Sequence, residues 1–196
     1  MQYNKLMDKR SKTYSVKVGD IYIGSEHPIR VQSMTNTNTS NIADTVSQII
    51  ELYDAGSELV RVTVNDEGSA KAIEEIKSKL IQKNYNIPVA GDFHFNGHLL
   101  LSKYPGAAAA LDKYRINPGN IGSKDKFDSN FEKIINIAIH NNKPIRIGGN
   151  WGSINKQKLD EVISQKSNDK NSLSYSNIIK NILIDSVIDS ANKAVE

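Results

Sequence analysis

The chain has 196 residues, a formal net charge of +3 and 38% hydrophobic residues, enough for one domain with its own core. A mean hydropathy of −0.46, with no apolar run near the ~20 residues that a spanning helix needs, excludes an integral membrane protein. The chain has no cysteine, which excludes disulfides, zinc ribbons, thiolate nucleophiles and any iron–sulfur cluster held by its own cysteines.

The charge pattern favours small phosphorylated ligands over nucleic acid. The 25 basic and 22 acidic residues are interspersed, whereas a nucleic-acid binder usually carries a clustered basic stripe. The first 14 residues are basic, without the apolar segment or cleavage site of a secretory signal. We therefore expect a flexible N-terminus over 1–14, a cytoplasmic location, and neither a nucleic-acid nor a membrane partner.

Repeated strand and helix patterns follow in chain order. Residues 16–23 alternate around Gly19 and Asp20, which predicts a small hairpin. Apolar spacing predicts strands at 29–34, 59–64, 87–93, 113–116 and 144–148, and helices at 42–55, 67–82, 97–103, 130–140 and 176–195. Gly56 is predicted to end the first helix, and the polar stretch 155–173 to form a loop or surface insertion.

The strand starts recur roughly every 26–31 residues, which is typical of βα units and a parallel sheet. Five such units fit either a doubly wound open sheet or part of a (β/α)8 barrel, which typically needs about 250 residues. The first βα turn, 33–36, lacks a glycine-rich dinucleotide fingerprint, which favours the barrel. We predict an α/β fold over 15–196: five βα units of an incomplete TIM-type barrel, with the hairpin closing its bottom.

Polar side chains collect at the carboxyl ends of the predicted strands, where barrels carry their chemistry. Residues two apart on a strand share a face, which pairs Asp92 with His94 and Arg115 with Asn117. Arg146 lies on the last strand, with Asn150 beyond it. The candidate binding residues are Arg61, His94, Arg115, Asn117, Arg146 and Asn150.

The three arginines predict an anionic ligand, because the planar guanidinium binds phosphate or carboxylate through two parallel hydrogen bonds. The turn 117–122 can offer backbone N–H groups to the same anion. A plainer interpretation stays open, in which the arginines form internal salt bridges, Asp92 and His94 form a structural pair, and the turn glycines only shape the chain. Four residues have no assigned chemical role: His27, His98, His140 and Trp151.

Four strings within these segments resemble one family. They are VQSMTNT at 31–37, GDFHFNGH at 91–98, YRINPGNIG at 114–122 and RIGGNWGS at 146–153. From about Ser15 to Asn155 the chain resembles bacterial 4-hydroxy-3-methylbut-2-enyl diphosphate synthases of the non-mevalonate isoprenoid pathway. The RINPGNIG string and the order of the motifs make the resemblance specific.

The resemblance implies a TIM-type barrel that holds 2-C-methyl-D-erythritol 2,4-cyclodiphosphate. It implies a separate C-terminal domain whose three cysteines and one glutamate carry a [4Fe–4S] cluster. The family opens the cyclic diphosphate reductively, with electrons from flavodoxin or ferredoxin, and works as a dimer. By the same resemblance Arg61, Arg115 and Arg146 grip the diphosphate, and His94, Asn117 and Asn150 line its pocket.

Departures from the family pattern leave three hypotheses open. We expect this chain to lack the last three barrel strands, one of which bears a diphosphate-binding lysine, and the cluster domain, so that it provides no catalytic or metal-binding residue and is inactive alone. Gly149 stands where the family commonly has valine, and glycine weakens a strand end. The chain is then the N-terminal part of a synthase, completed by a C-terminal fragment or within a homodimer; or a truncated non-catalytic remnant; or an α/β module that binds another phosphate ester.

Overall fold

A computed structural model describes residues 10–117, 124–150, 160 and 175–195. The strands are β1 (Val16–Val18), β2 (Ile21–Ile23), β3 (Gln32–Met34), β4 (Leu59–Val64), β5 (Val89–Phe93), β6 (Lys113–Ile116) and β7 (Ile145–Ile147). The helices are α1 (Ile42–Asp54), α2 (Glu67–Gln82), α3 (Gly97–Lys103), α4 (Pro105–Ala110), α5 (Lys124–His140) and α6 (Tyr175–Lys193).

The order of the strands decides between the two predicted architectures. Strands β3 to β7 form one parallel sheet in the order β3-β4-β5-β6-β7. A doubly wound sheet reverses its strand order at a switch point, whereas a barrel adds each new strand beside the previous one. The described strands follow the barrel rule and do not close, with β3 and β7 as the edges, which confirms the predicted partial barrel.

The outer face of this sheet carries the main core. Strand β4 alternates strictly: Val60, Val62 and Val64 are fully buried, while Arg61 and Thr63 on the opposite face are half-buried. The valines pack with α1 and α2, whose buried residues include Ile49 and Ile73. Burial of this apolar face, at about 25 cal/mol per Å², is the main force that holds the helices on the sheet.

The N-terminal hairpin closes the amino-terminal end of the inner face, as predicted. Strands β1 and β2 pair antiparallel around the turn at Gly19. Val18 is fully buried against Leu59 and Ala90, at the beginnings of β4 and β5, and Ile21 packs on the same cluster. A small second core therefore fills the bottom of the partial barrel.

Three predicted strands are shorter in the structure than the sequence pattern indicates. The first strand begins at Gln32 rather than 29, and Ile29 and Val31 remain 74% and 54% exposed. The third begins at Val89 rather than 87, since Pro88 has no N–H to donate. The fifth strand spans only 145–147 of the predicted 144–148.

The helix predictions hold with one omission. Gly56 has φ +103 and donates its N–H to the Tyr53 carbonyl, which confirms it as the residue that ends α1. The helix predicted at 130–140 begins six residues earlier, at Lys124. The sequence prediction missed α4, a short alanine-rich helix with Pro105 in its first turn, which the Tyr114 hydroxyl holds by donating to the Ala108 carbonyl at 2.6 Å.

Candidate anion-binding site

The register of the sheet aligns a row of polar side chains across four strands. Thr63 lies beside Asp92, Asp92 beside Arg115, and Arg115 beside Arg146. All four lie on the inner face, opposite the core valines, because side chains alternate along a strand. The row crosses the carboxyl-terminal half of the sheet, which is where the sequence predicts a site.

A second row lies one layer closer to the hairpin. It runs from Met34 through Arg61 and Ala90 to Lys113. Arg61 directs its Nε and one terminal nitrogen at the Met34 sulfur, at 3.3 and 3.1 Å. Lys113 is 7% exposed and donates to the Gln32 side-chain oxygen at 3.2 Å. Two further cations therefore lie directly beneath the first row.

Asp92 holds two of the arginines in place. Its carboxylate is 5% exposed and accepts a hydrogen bond from Arg115 at 2.9 Å. Its other oxygen lies 3.6 Å from Arg61 Nε. A buried carboxylate needs such partners, and it fixes the direction of both guanidinium groups in return.

Arg115 and Arg146 differ in what holds them. Arg115 donates a second hydrogen bond to the Gly148 carbonyl at 3.0 Å, and a Cβ at Gly148 would lie 3.4 Å from Arg115 Nε. Arg146 is exposed, and no carboxylate in the described part of the chain lies within salt-bridge distance of it. Arg115 is therefore oriented in advance, while Arg146 keeps its donors available.

The other predicted residues lie at the same edge of the sheet. His94 follows β5 directly and is half-buried, and Asn117 follows β6 and is buried. Asn150 is exposed, three residues beyond β7. Five of the six candidate residues thus lie in the first row or just beyond the ends of β5, β6 and β7, and Arg61 lies one layer closer to the hairpin on β4.

Charge on the inner face is strongly unbalanced. Among the described residues of this face, four cations (Arg61, Lys113, Arg115 and Arg146) accompany a single carboxylate, that of Asp92. Burial, followed by repulsion from Arg146 and Arg61, lowers the pKa of Lys113 to about 8. Such a cluster can bind an anion with two or more charges, since each charge it adds relieves repulsion between the cations.

The salt-bridge interpretation holds for part of the cluster. Arg61 and Arg115 contact Asp92, whereas Arg146 has no such partner among the described residues. The suggested pairing of Asp92 with His94 is wrong, because the Asp92 carboxylate contacts Arg115 and Arg61 of the neighbouring strands instead. The sequence reasoning missed Lys113, although its position two residues before Arg115 places both on one face.

Several predictions concern residues away from this site. His27 Nε2 lies 2.5 Å from the Ser15 hydroxyl, just outside the two hairpin strands. His98 lies on α3, where burial and then Lys133 lower its pKa. His140 ends α5. The turn glycines and Trp151 lie outside the described residues, as does the polar stretch 155–173 except for residue 160.

Parallel strands that follow barrel order, each joined to the next through helices, place the chain in the TIM-barrel class. The family model described as the GcpE TIM-barrel domain matches residues 13–195. The chain therefore belongs to the GcpE family, the 4-hydroxy-3-methylbut-2-enyl diphosphate synthases, which are oxidoreductases of isoprenoid biosynthesis.

The residues present do not fit the iron–sulfur cluster that this family implies. The chain contains no cysteine, and no three metal-ligating side chains come together within the described ranges. Cluster chemistry is therefore not assigned to these residues. In the described part of the chain, no helix is both long and apolar enough to cross a membrane.

Proposed function

We propose that this chain is the substrate-binding barrel portion of a 4-hydroxy-3-methylbut-2-enyl diphosphate synthase. Its ligand is 2-C-methyl-D-erythritol 2,4-cyclodiphosphate, whose two bridged phosphoryl groups lie against the cations at the strand ends. The reaction would need an iron–sulfur cluster, which a complementing C-terminal part would hold and which would supply electrons from flavodoxin or ferredoxin; a homodimer of the chain itself would serve only to bring its barrel to that part.

The observation that carries this proposal is the cluster of cations around a single carboxylate. Arg115 is directed by Asp92 at 2.9 Å and by the Gly148 carbonyl at 3.0 Å, so its guanidinium loses little further freedom on binding. Arg146 lies beside it in the register, with no carboxylate at hand in the described part of the chain. Together they can hold a diphosphate bridge between two neighbouring strands.

The chain's own residues act by binding and orienting. The arginines neutralise the charge of the diphosphate and fix its position across the ends of β4, β6 and β7. His94, Asn117 and Asn150 line the same edge with groups able to hydrogen-bond the hydroxyl groups of the erythritol moiety. A substrate held in one orientation keeps its ring bonds in a fixed position, which is the contribution that a binding barrel makes to catalysis.

Calorimetric titration of the 196-residue chain with the cyclodiphosphate tests the proposal. Arg146→Ala should weaken binding about 10- to 150-fold, since a charge-assisted hydrogen bond contributes about 1.5–3 kcal/mol. Arg30→Ala is the matched control, because Arg30 pairs with Glu58 at the amino-terminal end of the sheet. Binding that is absent in the unmodified chain, or equally weakened by both substitutions, would overturn the proposal.

A second candidate is an anion-binding module without turnover, which the absence of cysteine favours. The two candidates separate when the chain is mixed with a reduced, cluster-bearing C-terminal part of this family. Product formation that Arg146→Ala abolishes supports the synthase. Saturable binding without product under those conditions supports the binding module.

A further inference from the structure

Lys113 occupies an unusual position for an ammonium group. It begins β6 on the inner face, yet its Nζ reaches Gln32 on β3, two strands farther than its neighbour β5. Between them the register places the small side chain of Ala90. The lysine therefore lies across the floor of the anion site, in the same layer as Arg61 and one layer below Arg115 and Arg146.

The charged surroundings of Lys113 are almost all positive. Arg146 lies on the neighbouring strand β7, Arg61 lies on β4 beyond Ala90 of β5, and Arg115 follows two residues later on β6 itself. The single inner-face carboxylate of the described residues, Asp92 of β5, is already engaged by Arg115 and Arg61.

The remaining neighbours carry no free negative charge toward it. Gln32 of β3 is neutral, and the hairpin contributes the apolar Val18 and Ile21 to the layer below. Asp20 of the hairpin turn accepts from Asn86, and Asp112 pairs with Lys77 at 2.9 Å. Within the described residues, Lys113 is a buried cation without a carboxylate partner.

We propose that Lys113 is a proton-linked positioning residue of the anion site: an oxyanion held by the arginines offsets their repulsion and draws a proton onto the Lys113 amine. This inference rests on the proposed anion site. In the absence of anion the amine loses its charge more readily than an ordinary lysine, and with the anion bound it carries the charge fully. The charge of the Lys113 amine therefore increases when an anion occupies the site.

The sign of the pH dependence follows from the pKa of about 8 without anion, below the ordinary 10.5. The anion raises this pKa, so the protonated form is the one that binds tightly. Affinity is complete below pH 8 and falls as the pH rises, by up to about tenfold per pH unit until the pKa of the bound state is reached. Arginine keeps its charge throughout this range, so it adds no slope.

Two anions and two variants test the inference on the full chain. Sulfate and the cyclodiphosphate are titrated calorimetrically from pH 7.5 to 10, in buffers of different ionisation enthalpy that report proton uptake. We expect about 0.5–1 proton taken up per anion bound at pH 9. Lys113→Met should abolish the uptake, flatten the pH profile and weaken binding about 10-fold at pH 7.5, by the loss of one charged contact. Lys113→Arg should keep the affinity and also flatten the profile, because its charge does not titrate.

The outcomes separate this inference from the proposed function. Sulfate binding with proton uptake, but no cyclodiphosphate binding, upholds the role of Lys113 and overturns the substrate. Binding of both anions with no proton uptake, or with a slope that survives in both variants, overturns the role of Lys113 alone. If neither anion binds, both proposals are wrong. Should Lys113→Met fail to fold, the flattened profile of Lys113→Arg decides.

Discussion

The two ends of the sheet's inner face are built from the same strands but contain opposite chemistry. At the amino-terminal end, Leu59 and Ala90 are buried against Val18 of the hairpin. Two residues farther along each strand lie Arg61 and Asp92, the first charged residues of the inner face on β4 and β5. Along β4 and β5, consecutive inner-face positions therefore change from apolar to charged.

This contrast shows how a barrel separates stability from binding. The apolar layer is covered by the chain's own hairpin, so it contributes its full stabilisation once the hairpin packs. The cationic layer contains more positive than negative groups, so it gains its remaining stabilisation from a ligand. Substitutions in the two layers should therefore affect different measurements.

The largest expected effect lies in the apolar layer. Leu59 is 1% exposed, and Leu59→Ala should lower the free energy of unfolding by about 2–5 kcal/mol, through lost burial and a cavity beside Val18. Urea denaturation measures this loss. Anion affinity at a temperature where the variant remains folded should change by less than about twofold, because no charged group is altered.

Leu99→Ala supplies the control for this substitution. Leu99 lies on α3 and is 60% exposed, so its truncation should change stability by no more than about 0.5 kcal/mol. A Leu59 variant as stable as the Leu99 variant would show that the hairpin layer does not hold the barrel together. A large loss of anion affinity in Leu59→Ala would show that the two layers are not separate.

An intermediate effect is expected in the cationic layer. Asp92→Asn removes the carboxylate between Arg61 and Arg115, and should lower the free energy of unfolding by about 1–3 kcal/mol, since three arginines and a lysine then repel one another. Added sulfate should recover part of that loss, because the anion replaces the missing negative charge. Unfolding curves at constant ionic strength, with and without sulfate, measure the recovery.

The matched control is Asp112→Asn. Its ion pair with Lys77 has the same 2.9 Å separation as that of Asp92 with Arg115, but lies outside the cationic layer. Its destabilisation should therefore be the same with and without sulfate. If sulfate restores the free energy of unfolding equally in both variants, it stabilises the fold generally and does not bind preferentially in the cationic layer.

The sequence predicts the fold well because its information is local. The β-branched run at 59–64 and the helical spacing of 67–82 give exact boundaries for β4 and α2. Boundaries are lost where a distant contact decides them: Val31 donates to the Glu58 carboxylate instead of extending β3. Helix α4 is missed because six residues, four of them alanine, show no period, and a tertiary hydrogen bond from Tyr114 helps to hold it.

The candidate site is predicted only as a set of side chains at one edge. Alternation assigns Arg61, Arg115 and Arg146 to the inner face, and the register confirms this assignment. The partners of Asp92 depend on which strands pair with β5 and in what register. The sequence of a single strand does not contain that information. Lys113 was missed for a similar reason, since its reach to Gln32 crosses two other strands.

The smallest expected effect lies at the flank of the cationic layer, where α6 approaches the end of β7. A Cβ at Gly149 would lie 3.0 Å from a methyl carbon of Val187, closer than ordinary van der Waals contact. Gly149→Ala should therefore lower the free energy of unfolding by about 1 kcal/mol, and Gly149→Val by more, as α6 is displaced. In a Val187→Ala background the Gly149→Ala loss should vanish, which a double-mutant cycle of urea denaturation measures as a coupling of about 0.5–1.5 kcal/mol. Additive losses would mean that α6 does not rest on Gly149.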